Sequence, residues 1–527
     1  MHDLLSDAII PAPLREGGVR FCCLPQLYAE LVRDDVESFP GLGAHQGQAW
    51  YQFLVQVGAL ALLRDEWQGP PPDAAETWRD LLAALTPGGA ETAWSLIVSD
   101  ATKPALLQPP TEKITEFSIF AETPDRLDIL VTAKNHDRKQ AAAAGGAPHH
   151  WLYALVTTQT ASGFSGRGNY GVARMNGGLS SRVLIDRRPS HRWGPRVARG
   201  IRMLCIQRQR LMEQRGGGKI FDDEDDGMAL AWLAPWDTDA MLPTRDLDLY
   251  FVEVCRRIRL SADGEGRIRA LGRPSAKPRV DAGALNGNLA DPWAPVERGG
   301  KALTVGGNGF NYRLAQRILL TAEFEKPLSL GKLAGEECAD SEVHMAVLVR
   351  GQGKTEGLHE RIIKLPHSIA EHLDLNTPAP ESGDSDSDGT AARPLEALSE
   401  RMVGRAAEAR RVLRQAMIVY LQGPEHPDFQ GATADPVTQR YDGVLDEHFF
   451  AVLFRESAGR LDFAQNETAW QRLLRFEAFG LAEEVWAGGG APAARREKAR
   501  AASEAVLWGG LRRHLPLAFP TPEDKAA

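Results

Sequence analysis

Several segments of the sequence carry residue types and spacings that do chemistry. In RGQGKTEG, Arg350 to Gly357, the triplet Gly353-Lys354-Thr355 matches the end of a loop that cradles phosphate on backbone N–H groups while a lysine neutralises it. Such a loop needs another glycine five residues before Gly353, and Leu348 stands there. The HERIIKLP that follows contains Pro366 and reads as a strand, where a phosphate loop would run into a helix. A glycine-rich hairpin tip presenting Lys354 and Thr355 to a partner fits the residues better. Asp384, Asp386, Asp388 and Gly389 mimic the start of a calcium loop, whose bidentate glutamate belongs at the twelfth position. Leu395 occupies that position, and Glu396 is one residue late. The acidic run Asp222, Asp223, Glu224, Asp225 and Asp226 could hold a cation, but beside Gly216-Gly217-Gly218 it reads as an exposed loop. His136-Asp137 suggests acid–base work without a nucleophile to serve, and His149-His150 has no spaced third ligand for zinc. The expectation is therefore no enzyme, no metal and no cofactor. The enzymatic alternative rests on the Gly353-Lys354-Thr355 loop or the acidic run.

Composition narrows the classes further. The chain has 527 residues, several times the usual domain size, so two or more domains are expected. With 43% hydrophobic and 25% charged residues it is neither collagen-like, wholly disordered nor a multi-span membrane chain. The net charge of -9 excludes an all-basic nucleic-acid coat but permits a local basic face. Five cysteines without CxxC spacing fit a reducing compartment. MHDLLSDAII lacks the basic start of a signal peptide, and the apolar stretch Trp50 to Leu63 is too short to span a bilayer and contains Gln52 and Gln56. No membrane and a cytoplasmic setting are expected.

Periodicity and punctuation give an α+β organisation. Residues 1–375 form a large mixed domain with long loops. Residues 376–394, NTPAPESGDSDSDGTAARP, have almost nothing to bury and read as a solvated acidic linker. Residues 395–527 read as an antiparallel four-helix bundle. Its first helix carries Leu395, Leu398, Met402, Ala406, Ala409, Leu413, Ala416 and Tyr420 at spacings of three and four. The second starts at Asp435-Pro436, the third carries Trp470 to Val485 and stops at Gly488, and the fourth runs from about Ala493 to Leu515. In the first domain, helical patterns cover Gln46 to Leu63, Ala74 to Leu85 and Asn311 to Glu323. Strand-like runs cover Leu127 to Thr132, Val183 to Ile185, Tyr250 to Leu260 and Met345 to Val349.

Three loops stand out as binding candidates. Between Arg167 and Lys219 there are 13 basic residues against two acidic ones, Asp186 and Glu213. Arginines such as Arg182, Arg187, Arg188, Arg192, Arg196, Arg199, Arg202, Arg208 and Arg210 suit phosphate or an acidic neighbouring subunit. Just before them, SGFSGRGNYG, Ser162 to Gly171, lets backbone approach a ligand while Phe164 inserts or stacks. Upstream, TAKNHDRKQ places Lys134, Asn135, His136, Arg138 and Lys139 in a short polar, basic cluster.

In their order along the chain, LPQLYAEL, TAKNHD, the SGFSG loop, MALAWLAPWD, FVEVCRRIRL, LNGNLADPWAP, RGQGKTEGLHER and the helical ending resemble one family, the CasA-type large subunit of the type I-E CRISPR surveillance complex Cascade. The resemblance covers nearly the whole chain. It implies a non-catalytic subunit that joins guide-RNA-bound partners and recognises a short flanking motif, the PAM, in double-stranded target DNA. Such a subunit starts duplex opening, helps hold the displaced strand and recruits a helicase-nuclease. By position it implies that Gly163, Phe164, Ser165 and Gly166 form the glycine loop, that Lys277 or Arg279 probes the minor groove, and that Lys354 and Thr355 form the wedge. Glu356 would be repelled by phosphates. Lys134, Asn135 and His136 would lie by the guide RNA's 5′ end and the PAM. This chain lacks the paired cysteines some relatives carry, and it has Ala8 where some have tryptophan. A scaffold whose arginines meet protein acids is the non-binding alternative.

Overall fold

A computed structural model of the chain describes residues 2–88, 90–128, 146–214, 220–221, 227–336, 340–351, 354–366, 369, 394–457, 459–489 and 495–519. Lys134, Asn135, His136, the acidic run 222–226, the linker up to residue 393 and the side chain of Lys354 lie outside them. The chain is mixed α and β, with several small sheets and a helical C-terminal region. It divides into two compact units, residues 1–310 with 323–364, and residues 311–322 with 365–527.

In the first unit the helices are α1 (Leu24–Val32), α2 (Gly47–Arg64), α3 (Ala75–Ala83), α4 (Pro124–Leu127), α5 (Pro148–Thr160) and α6 (Trp193–Gln214). The strands of four residues or more are β1 (Ile10–Pro13), β2 (Val19–Cys22), β3 (Ser118–Ala121), β4 (Leu184–Arg188), β5 (Leu247–Val252), β6 (Arg257–Ala262), β7 (Ile268–Arg273), β8 (Ser341–Gly351) and β9 (Lys354–Leu365). Strands β9, β8 and β4 form one three-stranded sheet in that order, and β3, β7 and β6 form another. The expected strand from Tyr250 to Leu260 is two strands, β5 and β6, broken at residues 253–256. Leu127, expected to open a strand, instead closes the short helix α4, which Pro124 starts at its first position.

Helix α2 carries no charged residue before Arg64 and is buried from Gln48 to Leu62. Its three glutamines, spaced by four, lie along one face. Gln48 donates to Arg182 O, Gln52 to Val183 O at 3.2 Å and Gln56 to Tyr250 O at 3.1 Å. Each pairs a buried side-chain amide with a backbone carbonyl, and a buried amide left unpaired would cost about 1–3 kcal/mol. Gln48 and Gln52 fix the backbone at 182–183, next to the segment that joins the glycine loop to β8.

Glu253, at the break between β5 and β6, is also buried. Its Oε1 accepts from Ala173 N–H at 2.6 Å, and burial pushes its carboxyl up to about 7 from 4.5. A raised folded-state value means the folded chain holds a proton that the unfolded chain releases. The stability this contributes is full below about 4.5 and is lost as pH rises through 7. Glu253→Gln should remove a loss on the order of 2 kcal/mol between pH 5 and pH 8. Urea unfolding of both proteins at the two pH values measures it, and equal pH slopes would contradict it.

The second unit holds α7 (Tyr312–Leu320), α8 (Pro394–Gln422), α9 (Asp435–Leu453), α10 (Phe463–Ala487) and α11 (Arg496–His514). The last four match the helices expected from periodicity. Their directions follow from named contacts. Arg410 reaches Asp442 while Arg414 reaches Asp435, so α8 and α9 are antiparallel. Tyr441 reaches Leu474 O while Asn466 reaches Leu453 O, so α9 and α10 are antiparallel. Ser503 reaches Ala416 O and Arg405 reaches His514 O, so α8 and α11 are antiparallel too. Helix α7, far upstream in sequence, packs here: Tyr312 N–H donates to Asp446, and Gln316 to Ser399 Oγ at 2.8 Å.

Candidate nucleic-acid interface

The loop Ser162–Gly171 leaves the end of α5 and is pinned on both sides. Phe164 N–H donates to Gly178 O at 2.8 Å, and Ser165 N–H to Asn169 O at 2.9 Å. Arg256 Nη2 donates to Gly163 O at 2.8 Å. The glycines serve different ends. A Cβ on Gly163 would sit 2.8 Å from Gly178 O and closer still to Ser180 O, both backbone atoms that cannot swing away. At Gly166 the φ of +103° demands glycine, but the space around it is open. Gly163→Ala is therefore expected to destabilise the chain by about 1–3 kcal/mol through overpacking. That is a folding lesion, measurable by urea unfolding, and a change under about 0.5 kcal/mol would contradict it. The loop's exposed tip is Phe164, Ser165 and Arg167, with the Phe164 ring 6.1 Å from that of Tyr170.

Two distant segments dock on this loop. Ser275 N–H donates to Gly168 O at 3.1 Å, and Tyr170 OH donates to Ala276 O at 2.8 Å. These bonds hold the turn carrying Lys277, whose side chain is exposed. On the other flank, Ser181 N–H donates to Leu348 O at 2.8 Å and Leu348 N–H to Ser181 Oγ at 2.9 Å. Residues 178–182 thus bond to the glycine loop on one side and to β8 on the other. The tip between β8 and β9 includes Lys354, at the start of β9, and Thr355, which is partly buried. Glu356 is exposed, with its carboxylate against Gly307. The Lys277 turn thus bonds to the glycine loop itself, and residues 178–182 join that loop to Leu348 of β8, the strand that leads to Lys354 and Thr355.

Two expectations are corrected. Arg279 is built into the fold. It is 3% exposed, donates to the carbonyls of Pro235 at 3.1 Å and Ala234 at 2.8 Å, and lies over the Trp236 ring. Burial lowers its guanidinium to about 10, and nothing is left to probe a groove. The arginine-rich stretch is likewise mostly interior, and its acids come from this chain. Arg182 pairs with Asp291 at 2.6 Å, Arg188 with Glu342 at 3.1 Å, Arg196 with Asp186 at 3.1 Å, Arg199 with Glu336 at 2.7 Å and Arg208 with Asp248 at 2.9 Å. The Arg196 guanidinium and His344 hold the Asp186 carboxyl well below the usual carboxylate range despite its burial. A count of charge along the chain could not separate these pairs from a surface patch.

The phosphate-loop reading fails on secondary structure, because Lys354 opens strand β9 rather than a helix whose N-terminus could hold phosphate. Among the described residues no group of His, Cys, Asp and Glu is arranged to hold a metal, and no helix is long and apolar enough to cross a membrane. Sequence reasoning missed His45, Gln48 and Arg350, which line a cleft beneath the glycine loop. Arg350 stood in a segment already singled out, whereas nothing around His45 distinguished it.

No protein-family model matches the chain, and no curated protein matches it in sequence. Solved structures do match. Cse1 of Thermobifida fusca aligns over 98% of both chains with a TM-score of 0.65 at 15% identity. The chain has the Cse1 fold. CasA of Thermus thermophilus aligns over 97% of this chain and 99% of its own, with a TM-score of 0.62 at 16% identity. The CRISPR-associated protein Cse1 of Acidimicrobium ferrooxidans aligns over 99% of both chains, with a TM-score of 0.60 at 16% identity. The Cse1 likeness thus takes in both compact units and nearly the full length of each neighbour.

Proposed function

We propose that this chain is the non-catalytic large subunit of a cytoplasmic CRISPR RNA-guided complex, and that it recognises the PAM in double-stranded target DNA. The observation that supports this reading is that the Lys277 turn bonds to the glycine loop and that residues 178–182 join the same loop to β8, in a chain with the Cse1 fold. The tip residues Phe164 and Ser165, with the open backbone at Gly166, meet the minor groove. Lys277 reaches into it, and its degenerate pattern of acceptors lets one lysine and a glycine backbone accept several PAMs. Lys354 and Thr355 wedge the end of the duplex, where unstacking costs on the order of a few kcal/mol. Guide pairing then replaces the lost DNA pairing. Lys134, Asn135 and His136 lie near the guide RNA's 5′ end. The subunit also helps hold the displaced strand and recruits the helicase-nuclease. It needs no cofactor, because in this role it grips and opens DNA and transfers no group.

The direct test is assembly. The remaining guide-RNA-bound subunits are reconstituted with and without this chain, and their affinity for a guide-matched duplex is measured. The reading requires that the chain co-purify with the complex and raise that affinity. A chain that neither joins nor changes duplex binding contradicts it.

A further inference from the structure

Beneath the glycine loop lies a narrow cleft, partly open to solvent, with interior room for about one water and lined by His45, Gln48, Ser162, Gly163, Ser181 and Arg350 among others. Arg350, the next-to-last residue of β8, is partly buried, and its Nε is fully buried with no hydrogen-bond partner. A buried donor without a bonded acceptor is costly for a fold to hold. Its neighbours do not relieve it. Asp128, the acid whose charge it senses, is already engaged by His45 Nε2 at 2.9 Å and Gln46 Nε2 at 2.6 Å. The second nearby cation, Arg256, spends its Nη groups on Cys255 O at 3.2 Å and Gly163 O at 2.8 Å. Burial lowers the Arg350 guanidinium below its ordinary value, as expected of a charge waiting for a counterion.

We propose that the mouth of this cleft seats one phosphodiester of the DNA strand that passes the glycine loop, with Arg350 as its ligand. The inference rests on the reading of the loop as a duplex-binding element. It adds a backbone contact that is indifferent to sequence, below the residues that read the flank. A guanidinium offers parallel N–H donors matched to two phosphate oxygens. A phosphodiester also delivers its charge on a thin, unbranched linkage that suits a narrow cleft. The cleft shares Gly163 and Ser162 with the loop's root, so a strand held at the tip by Phe164 and Arg167 has its backbone within reach of the opening.

The test uses the full chain in its reconstituted complex, as wild type, Arg350→Gln and Arg350→Lys. Guide-matched duplex binding is followed from about 50 to 200 mM salt, a range over which one phosphate contact is worth roughly threefold in affinity. Arg350→Gln should weaken binding for every flanking sequence alike and reduce the slope of log affinity against log salt by about one. Arg350→Lys should keep the slope and recover part of the affinity. Without DNA, Arg350→Gln should melt no lower than wild type, because it removes a partly buried charge whose Nε has no bonded acceptor. An unchanged slope, or a lower melting point with an unchanged slope, makes Arg350 a structural residue and overturns the proposal. An Arg350→Gln chain that dissociates from the RNA-loaded complex before any duplex is added assigns the phosphate to RNA and overturns it too. If wild type ignores the flank while Arg350→Gln still lowers the slope, PAM recognition fails and the phosphate seat stands. If wild type selects the flank and Arg350→Gln changes nothing, the seat alone fails.

Discussion

Asp291→Ala is expected to destabilise the first unit by about 3–5 kcal/mol, the cost of stripping one partner from a buried ion pair. The side chains of Arg182 and Asp291 are 3% and 1% exposed and meet at 2.6 Å. Asp291 Oδ1 also accepts from Trp293 N–H at 2.9 Å, while Arg182 donates to Gln56 Oε1 at 2.9 Å and lies over the Trp293 ring. Removing the acid leaves a guanidinium in the core with one donor, Nη2, already unpaired. The lesion spreads to function because Arg182 closes the segment that holds both the glycine loop and β8. Chemical denaturation of the whole chain measures the effect. A loss below about 1 kcal/mol would mean that the pair behaves as a solvated surface bridge. Replacing both members by apolar residues of similar volume should recover much of the loss, since the pair's charges cost nearly as much to bury as they return.

Lys277→Ala should behave in the opposite way. The side chain is exposed, and its turn is held by bonds from Ser275 N–H and the Tyr170 hydroxyl that the substitution leaves alone. Stability should change by no more than about 0.5 kcal/mol. Duplex binding by the assembled complex should fall for favoured flanking sequences by about tenfold or more, the 1–3 kcal/mol of one groove contact. Binding to disfavoured flanks should change little, so the variant compresses the range between them. Arg279→Ala is the control. It should lower stability through three abandoned carbonyls, and in the fraction that remains folded it should leave the ranking of flanks intact. The two arginine and lysine candidates stand two residues apart in sequence, and only burial separates them.

The C-terminal helices were legible because each is long, the first and third carry an apolar stripe at spacings of three and four, and glycine or proline follows all but α9. Helix α7 was legible as a helix but not in its placement, because packing with residues more than 70 positions downstream leaves no local mark. The break between β5 and β6 was hidden inside FVEVCRRIRL, which has no glycine or proline to mark a stop. The site divides along the same line. Glycines flag a close approach, and the Ser162–Gly171 loop carried that signal. The reason for each glycine was not readable, since Gly163 answers to the backbone at Gly178 and Ser180, and Gly166 to its own φ. Charge misled most. The arginine run read as a surface, and its counterions at Asp248, Asp291, Glu336 and Glu342 reach it only through the fold. The segment LNGNLADPWAP, which supported the family resemblance, proves to be structural: Asp291 and Trp293 hold Arg182 in place.

The central claim is that this chain lets a guide-RNA complex read the sequence flanking its target. The most direct measurement is affinity for guide-matched duplexes carrying a panel of flanking trinucleotides, at one fixed salt concentration, with the chain present, absent or carrying Lys277→Ala. The account predicts that affinity depends on the flank only when the chain is present, and that Lys277→Ala compresses the dependence without unfolding the chain. Affinity that is the same for every flank, or that varies equally without the chain, would contradict it.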